Sequence, residues 1–279
     1  GLDAAVSESI EDIEIRLLLD AVYHHYHFDF RQYAQASIKR RLLQARAQWG
    51  YDSISEMQEA VLRDETMLPR LLNYLTVQVS EMFRDPSYFR ALRENVVPHL
   101  RTYPSLKVWV AGCSHGEELY SLAILFEEEG LADRTIFYAT DINPSALRSA
   151  QAGIFPLDRV RLFTENHRLS GGHSSLSNYY TAHYDRAVFD KSLRERTVFS
   201  DHSLVTDAAF GEMHLVSCRN VLIYFNRELQ DRAVGLFGES LVRGGFLGIG
   251  SKESLRFSSH ADLFSEFVRE ERIYRRNAQ

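Results

Sequence analysis

Three turns, each following an apolar run, carry the residues best suited to chemistry in this 279-residue chain. The first lies in Lys107–Ser121, KVWVAGCSHGEELYS. Val108–Ala111 reads as a buried strand, Gly112-Cys113-Ser114-His115-Gly116 as a tight turn, and Glu117 as the start of a helix. That order brings a ligand up to the backbone at a helix N-terminus. Glu117 and Glu118 would repel a pyrophosphate there. They suit a ligand with positive charge or hydroxyl groups, such as S-adenosylmethionine with its sulfonium and ammonium. The alternative is a turn that only packs a helix on a sheet, its acids favouring the helix dipole.

The second turn begins at Asp141, which closes the β-rich run Thr135–Thr140 (TIFYAT). A carboxylate at such a strand end can accept hydrogen bonds from two ribose hydroxyls; it could also cap the helix opened by Asn143-Pro144. The third is Cys218-Arg219-Asn220 in SCRNVLIYF, after the apolar run Met213–Ser217. Arg219 inside a core would need a buried partner, so a place at a crevice is cheaper. Tyr224 reads equally as a core tyrosine with its hydroxyl satisfied at the edge. Ligands of doubly wound sheets bind beyond the carboxyl ends of the strands. That rule gathers Gly112, Glu118, Asp141, Arg219 and Asn220 at one crevice.

The elements that must hold these turns form two grammars. Residues 11–100 read as helical, with Ile13, Leu17, Leu18, Val22 and Tyr26 at one helical spacing and Ile38, Leu42, Leu43 and Trp49 at another. Ser53-Ile54-Ser55-Glu56 is a capping box. Asp85-Pro86 predicts a capped helix running to about Leu100. From Lys107 strands and helices alternate, which implies a parallel sheet covered on both faces. Asn226 caps an expected helix over Arg227–Arg243, Phe246–Gly250 makes a strand, and Phe267–Arg275 reads as a single last strand. Residues 155–200 break the alternation with glycines, serines and aromatics and read as an inserted subdomain of short strands. The expected division is a helical N-terminal domain over 1–85 and an α/β domain over 86–279.

Composition excludes several classes. A net charge of −6 and a pI near 6.0 argue against a general nucleic-acid binder. No apolar run reaches the roughly 18 residues of a membrane span, and no secretory signal is visible. Cys113 and Cys218 fit neither a disulfide framework nor a metal motif, which points to a reduced, cytoplasmic compartment. Arg31, Lys39, Arg40, Arg41 and Arg46 form a cationic run without an acid. It is either a solvated helix face or a docking face for an acidic partner, centred on Lys39, Arg40 and Arg46.

Four segments, VSEMFRDPSYF (79–89), VWVAGCSHGEELYSLAI (108–124), ATDINPSALRSAQAGIF (139–155) and SCRNVLIYFN (217–226), together resemble the CheR-type chemotaxis receptor methyltransferases. The resemblance implies a helical N-terminal domain, then a doubly wound, Rossmann-like S-adenosylmethionine-dependent methyltransferase domain with a small inserted β subdomain. It implies methyl esterification of glutamates on chemoreceptors or related signalling proteins, with no metal, by a cytoplasmic monomer that neither binds nucleic acid nor enters a membrane. By the match, Arg84 stands beside the cofactor and the reacting methyl, and Tyr224 near the transfer site. Gln78, Ser80, Arg84, Gly112, Glu118, Asp141, Ser203, Leu204, Arg219 and Asn220 line the cofactor pocket. Some relatives add a receptor-tail peptide as a strand to the inserted subdomain. The chain departs from the pattern at Gln78, Ser80, His115 and Leu119. Those changes motivate a second expectation, a non-catalytic cofactor-binding scaffold or sensor.

Overall fold

Helix propensity and caps build the first part of the chain as expected. The computed structural model describes residues 8–31, 35–76, 80–204 and 207–278. By contact the chain forms two units, residues 1–78 with 224–230, and residues 79–223 with 231–279.

The first unit holds four helices, α1 (Ile10–Tyr26), α2 (Gln35–Trp49), α3 (Ile54–Arg63) and α4 (Met67–Leu75). Ser9 caps α1 by accepting the Asp12 N–H at 3.1 Å. The buried stripe of α1 is Ile15, Leu18, Leu19, Val22 and Tyr26. Leu17, expected on that stripe, is 48% exposed, because it lies a quarter-turn from Leu18 on the far side from Leu19. Ser53 accepts the Glu56 N–H at 3.0 Å, and Glu56 returns a bond to the Asp52 N–H, one residue earlier than the ideal capping box. Residues 224–226 join this unit through a β-bridge between Phe28 and Phe225. Asn226 accepts the Leu229 N–H at 2.9 Å and so caps the following helix as expected.

The second unit is organised on a seven-stranded sheet ordered β6-β2-β1-β7-β8-β10-β9. Its strands are β1 (Leu106–Ala111), β2 (Thr135–Asp141), β6 (Thr197–Asp201), β7 (Met213–Cys218), β8 (Leu241–Ile249), β9 (Phe264–Val268) and β10 (Ile273–Arg276). The five strands from β6 to β8 pair in parallel, and β8/β10 and β10/β9 are antiparallel. Two expectations change here. The helix after Asn226 ends at Ser240, because Leu241 already pairs with Met213. The last expected strand is a hairpin, turned by Arg269–Glu271 and by Arg272 in the left-handed region at φ 55°.

Helices α5 (Pro86–Ala91), α6 (Val97–Leu100), α7 (Glu117–Glu128), α8 (Pro144–Ala152) and α10 (Arg227–Ser240) flank these strands in sequence. The run from Pro86 to Leu100 is interrupted by a π segment, Leu92–Val96. Pro98 lacks the N–H that would continue the α ladder there. The expected Asn143 cap on α8 forms, accepting the Ser145 N–H at 3.0 Å, and Gly153 closes that helix at φ 64°.

The inserted subdomain has a three-stranded antiparallel sheet, β3 (Ile154–Pro156), β5 (Arg186–Phe189) and β4 (Tyr180–His183). It also contains a helix, α9 (Val160–Leu169), which the glycines and serines of the stretch had obscured. Phe155, Phe163, Leu176, Ala187 and Phe189 sink into the same apolar cluster as Val108, Val110, Tyr120 and Phe126. Buried beside this junction, Glu128 meets Arg93 at 2.8 Å, His167 at 3.0 Å and the Tyr179 hydroxyl at 3.1 Å. Burial would raise the Glu128 carboxyl, but His167 and Arg93 bring it down to about 2.

Candidate active site

Strands β1, β2 and β7 are adjacent and parallel, so their carboxyl ends deliver the three turns to one edge. The glycine turn runs from Gly112 to Gly116 and is fastened to β2 where the Cys113 N–H donates to the Thr140 carbonyl at 2.8 Å. Gly112 sits at φ 71°, and a Cβ there would lie 2.6 Å from Val221. Only glycine lets the first turn and the third pack this closely.

Asp141 does two jobs within its own turn. Its Oδ2 accepts the Ser114 N–H and its Oδ1 the Asn143 N–H, both at 2.9 Å. Burial pushes its carboxyl above the ordinary range, against those bonds and the nearby His115. Each oxygen has lone-pair capacity beyond one bond, which leaves acceptors for hydroxyl donors.

Glu118 and Arg219 are brought together. Arg219 donates through Nη1 to Glu118 Oε2 at 3.2 Å and to the Arg84 carbonyl at 3.1 Å, and through Nη2 to Asp85 Oδ2 at 2.8 Å. Its guanidinium lies 3.9 Å from the centre of the Tyr88 ring. The side chain is 2% exposed. Arg219 is therefore a buried residue with acidic partners, where the sequence had favoured an open crevice position. The missing signal was Asp85, which was expected to cap α5. Its backbone is left-handed at φ 57°, it makes no cap bond, and its carboxylate is turned to Arg219.

Arg84 sits between two residues of positive φ, Phe83 at 54° and Asp85 at 57°. Such backbone costs of order 1–2 kcal/mol per non-glycine residue and persists where its surroundings hold it. The holders are the Arg219 bond to the Arg84 carbonyl and the Ser121 hydroxyl, which accepts the Phe83 N–H at 2.7 Å. Arg84 itself is half-buried, and its guanidinium has no ion pair or hydrogen bond among the described residues. Upstream, the Ser80 carbonyl accepts Arg159 Nη2 at 2.5 Å. Gln78 lies outside the described residues.

Ser203 and Leu204 follow β6. The Ser203 N–H donates to Asp207 Oδ2 at 2.8 Å, and Arg232 donates to the Leu204 carbonyl at 3.0 Å. Asn220 is left-handed at φ 64°. Tyr224 belongs to the first unit, where its carbonyl accepts the Asp29 N–H at 2.8 Å and its ring lies 5.9 Å from Phe30. In that unit Lys39 pairs with Asp12 at 2.9 Å and Glu11 at 3.6 Å, so part of the cationic run is answered by α1. Arg46 reaches the Asp52 carbonyl at 3.3 Å, and Arg40 is exposed.

Glu117, expected to meet a ligand beside Glu118, is instead buried at 3% exposure; its Oε1 has no hydrogen-bond partner among the described residues, and burial raises its carboxyl. Sequence reasoning passed over one further acid. Glu253, at 4% exposure, accepts three backbone N–H groups around the third turn. The departure at Leu119 falls on a fully buried core position. Both cysteine thiols are buried and pushed well up, so neither is a ready nucleophile.

Residues 78–272 match the family described as CheR methyltransferase, SAM binding domain, and residues 13–76 match CheR methyltransferase, all-alpha domain. The chain belongs to the CheR methyltransferase family. A Pseudomonas putida protein provisionally named methyltransferase Cher3 is 57% identical over 97% of this chain and 99% of its own length. A Listeria monocytogenes chemotaxis protein methyltransferase is 32% identical over 81% of this chain and 84% of its own. Chemotaxis protein methyltransferase 1 of Pseudomonas aeruginosa is 28% identical over 81% and 83%.

This CheR-family chain thus carries an S-adenosylmethionine-binding domain, and its donor set fits that cofactor. Glu118, 18% exposed, stands at the start of the helix after the glycine turn, where a phosphate binder would present bare N–H groups, and Asp141 keeps acceptor capacity for hydroxyl donors. No cluster of metal-ligating side chains occurs among the described residues, and no helix among them is long and apolar enough to cross a membrane.

Proposed function

We propose that this CheR-family methyltransferase esterifies glutamate side chains of chemoreceptors or related signalling proteins. The observation that carries this reading is Arg84. Its guanidinium, without a partner among the described residues, is held on a strained corner, one residue from the Asp85–Arg219–Glu118 clasp. A cation held in readiness near cofactor-binding acids suits recognition of a carboxylate. When bound, S-adenosylmethionine supplies a methyl group already activated on its sulfonium.

The protein's work is then positional. A glutamate with an ordinary pKa of about 4.3 is already ionised at neutral pH, so no strong general base is needed. Holding the carboxylate oxygen in near-attack geometry, about 3–3.5 Å from its target, supplies much of the acceleration. Arg84 orients that carboxylate. Glu118, Asp141, Asn220, Ser203 and Leu204 hold the cofactor, with Gly112 giving it close approach to the backbone and Ser80 completing the wall. Arg219 contributes by tying the Arg84 peptide in place. Transfer neutralises charge, so a clamp stronger than one arginine would stabilise the ground state too well.

Two measurements test this. Calorimetry with S-adenosylhomocysteine should show micromolar or tighter binding. Labelled methyl transfer to receptor cytoplasmic fragments should give base-labile esters that disappear in Arg84→Ala. Tight binding with no ester on any fragment would replace the enzyme with a cofactor-binding scaffold.

A further inference from the structure

The turn after β8 supplies a residue that neither the four motifs nor the family descriptions assign. Glu253 is nearly fully buried. Its Oε1 accepts the N–H groups of Asn220 at 2.9 Å and Gly250 at 2.6 Å, and its Oε2 accepts that of Ile223 at 3.0 Å. No ion pair involves Glu253 among the described residues. Arg219 lies close enough for the two charges to feel each other. Burial pushes the Glu253 carboxyl up, and the backbone N–H bonds oppose that rise.

Two of the three donors, Asn220 and Ile223, lie within the SCRNVLI segment, and Asn220 is left-handed. Non-glycine residues leave that conformation readily unless something holds them. The third donor comes from Gly250, whose missing side chain is what allows the approach. A Cβ at Gly250 would stand 2.6 Å from Asn220 Oδ1 and 2.8 Å from Glu253 Oε1.

We infer that Glu253 is a positioning residue, clasping residues 220–223 in the one backbone conformation that offers Asn220 to the cofactor. This rests on the proposed reading, in which Asn220 lines the cofactor pocket. Glutamine at this place would keep one acceptor and turn an NH₂ toward a backbone N–H. Aspartate would be a methylene too short to reach all three donors. Neither can reproduce the clasp.

The test uses the full chain and S-adenosylhomocysteine. Glu253→Gln should weaken binding at least tenfold in a sample that still unfolds cooperatively. The same substitution on an Asn220→Gly background should cost threefold or less, because glycine needs no clasp to hold positive φ. A general structural role would instead lower the melting temperature equally in both backgrounds and show no such coupling in affinity. Equal losses of affinity in the two backgrounds, or tight binding by Glu253→Gln, would overturn the inference. If Glu253→Gln fails to fold, amide exchange in the parent decides. The Asn220 and Ile223 N–H groups should exchange slowly despite lying outside any strand, and fast exchange would refute the clasp. A parent that does not bind S-adenosylhomocysteine would refute the proposed function, leaving the clasp to be judged by exchange alone.

Discussion

Removing the Arg219 guanidinium should do more damage than removing either acid that it touches. Arg219→Ala strips Glu118 of its cationic partner, the Arg84 carbonyl of its donor and the Tyr88 face of its stacked cation. Breaking a buried pair from one side typically costs roughly 3–5 kcal/mol. Glu118 and Asp85 keep 18% and 41% side-chain exposure, so water recovers part of that loss and about 3 kcal/mol is expected. Asp85→Asn should cost under about 1 kcal/mol, since its carboxylate is substantially solvated. Arg219→Lys keeps the charge but cannot reach three acceptors at once, and about 2 kcal/mol should be lost. It also frees the corner between Phe83 and Asp85 to relax its strain. S-Adenosylhomocysteine affinity should then fall about tenfold, equivalent to about 1.4 kcal/mol. Urea unfolding of the α/β unit and calorimetry on the folded variants read the two effects separately. A lysine variant within about 0.5 kcal/mol of the parent, with unchanged affinity, would refute the clasp as the holder of Arg84.

Glu128 should make the fold acid-sensitive. Its folded carboxyl lies at about 2, below the ordinary value, so its contribution is complete above about pH 4.5 and is lost as pH falls toward 2. Glu128→Gln should lower stability at pH 7 by about 2 kcal/mol after allowance for screening, and should flatten the acid limb of a stability profile. Glu117 has the opposite sign. Burial raises its carboxyl, so the folded protein holds that proton more tightly, and stability falls as pH rises past the ordinary glutamate range. Glu117→Gln should leave the melting temperature at pH 7.5 unchanged or higher. Gly112→Ala meets Val221 and a positive φ together and should cost roughly 1–3 kcal/mol with loss of cofactor binding in titration. Lys39→Glu with Arg46→Glu should slow methylation of receptor fragments at low salt and, since Lys39 is paired with Asp12, also lower the melting temperature slightly. Unchanged methylation would remove the cationic helix from docking.

What could be read from the sequence was whatever depends on neighbours in the chain. The stripe Leu18-Val22-Tyr26, the Ser53 and Asn143 caps and the apolar runs of β1, β2 and β7 all follow from short-range periodicity and hydrogen bonding. Asp85 misled because a local rule assigned it to its own helix, whereas Arg219, far along the chain, claims its carboxylate. Glu253 was invisible for the same reason, since the turn it serves lies before α10 and β8. The end of α10 at Ser240 was set by Met213 pairing with Leu241, a competition that no window of sequence contains. The hairpin of β9 and β10 was hidden because Arg272 takes a conformation usually marked by glycine.

The inserted subdomain leaves the main fold and returns to it at nearly the same place. The Phe189 N–H donates to the Gly153 carbonyl at 2.8 Å, and a Cβ on Gly153 would lie 3.1 Å from Arg194. A loop whose ends already meet changes its closure cost by only about 0.6 kcal/mol when its length doubles. Its base is tied down by Phe155, Phe163 and Phe189, while the tip at Tyr184 is 88% exposed. Length and composition at that tip can therefore drift, or be replaced by a grafted hairpin, with little effect on the seven-stranded sheet. The stem beside Tyr120 has no such freedom.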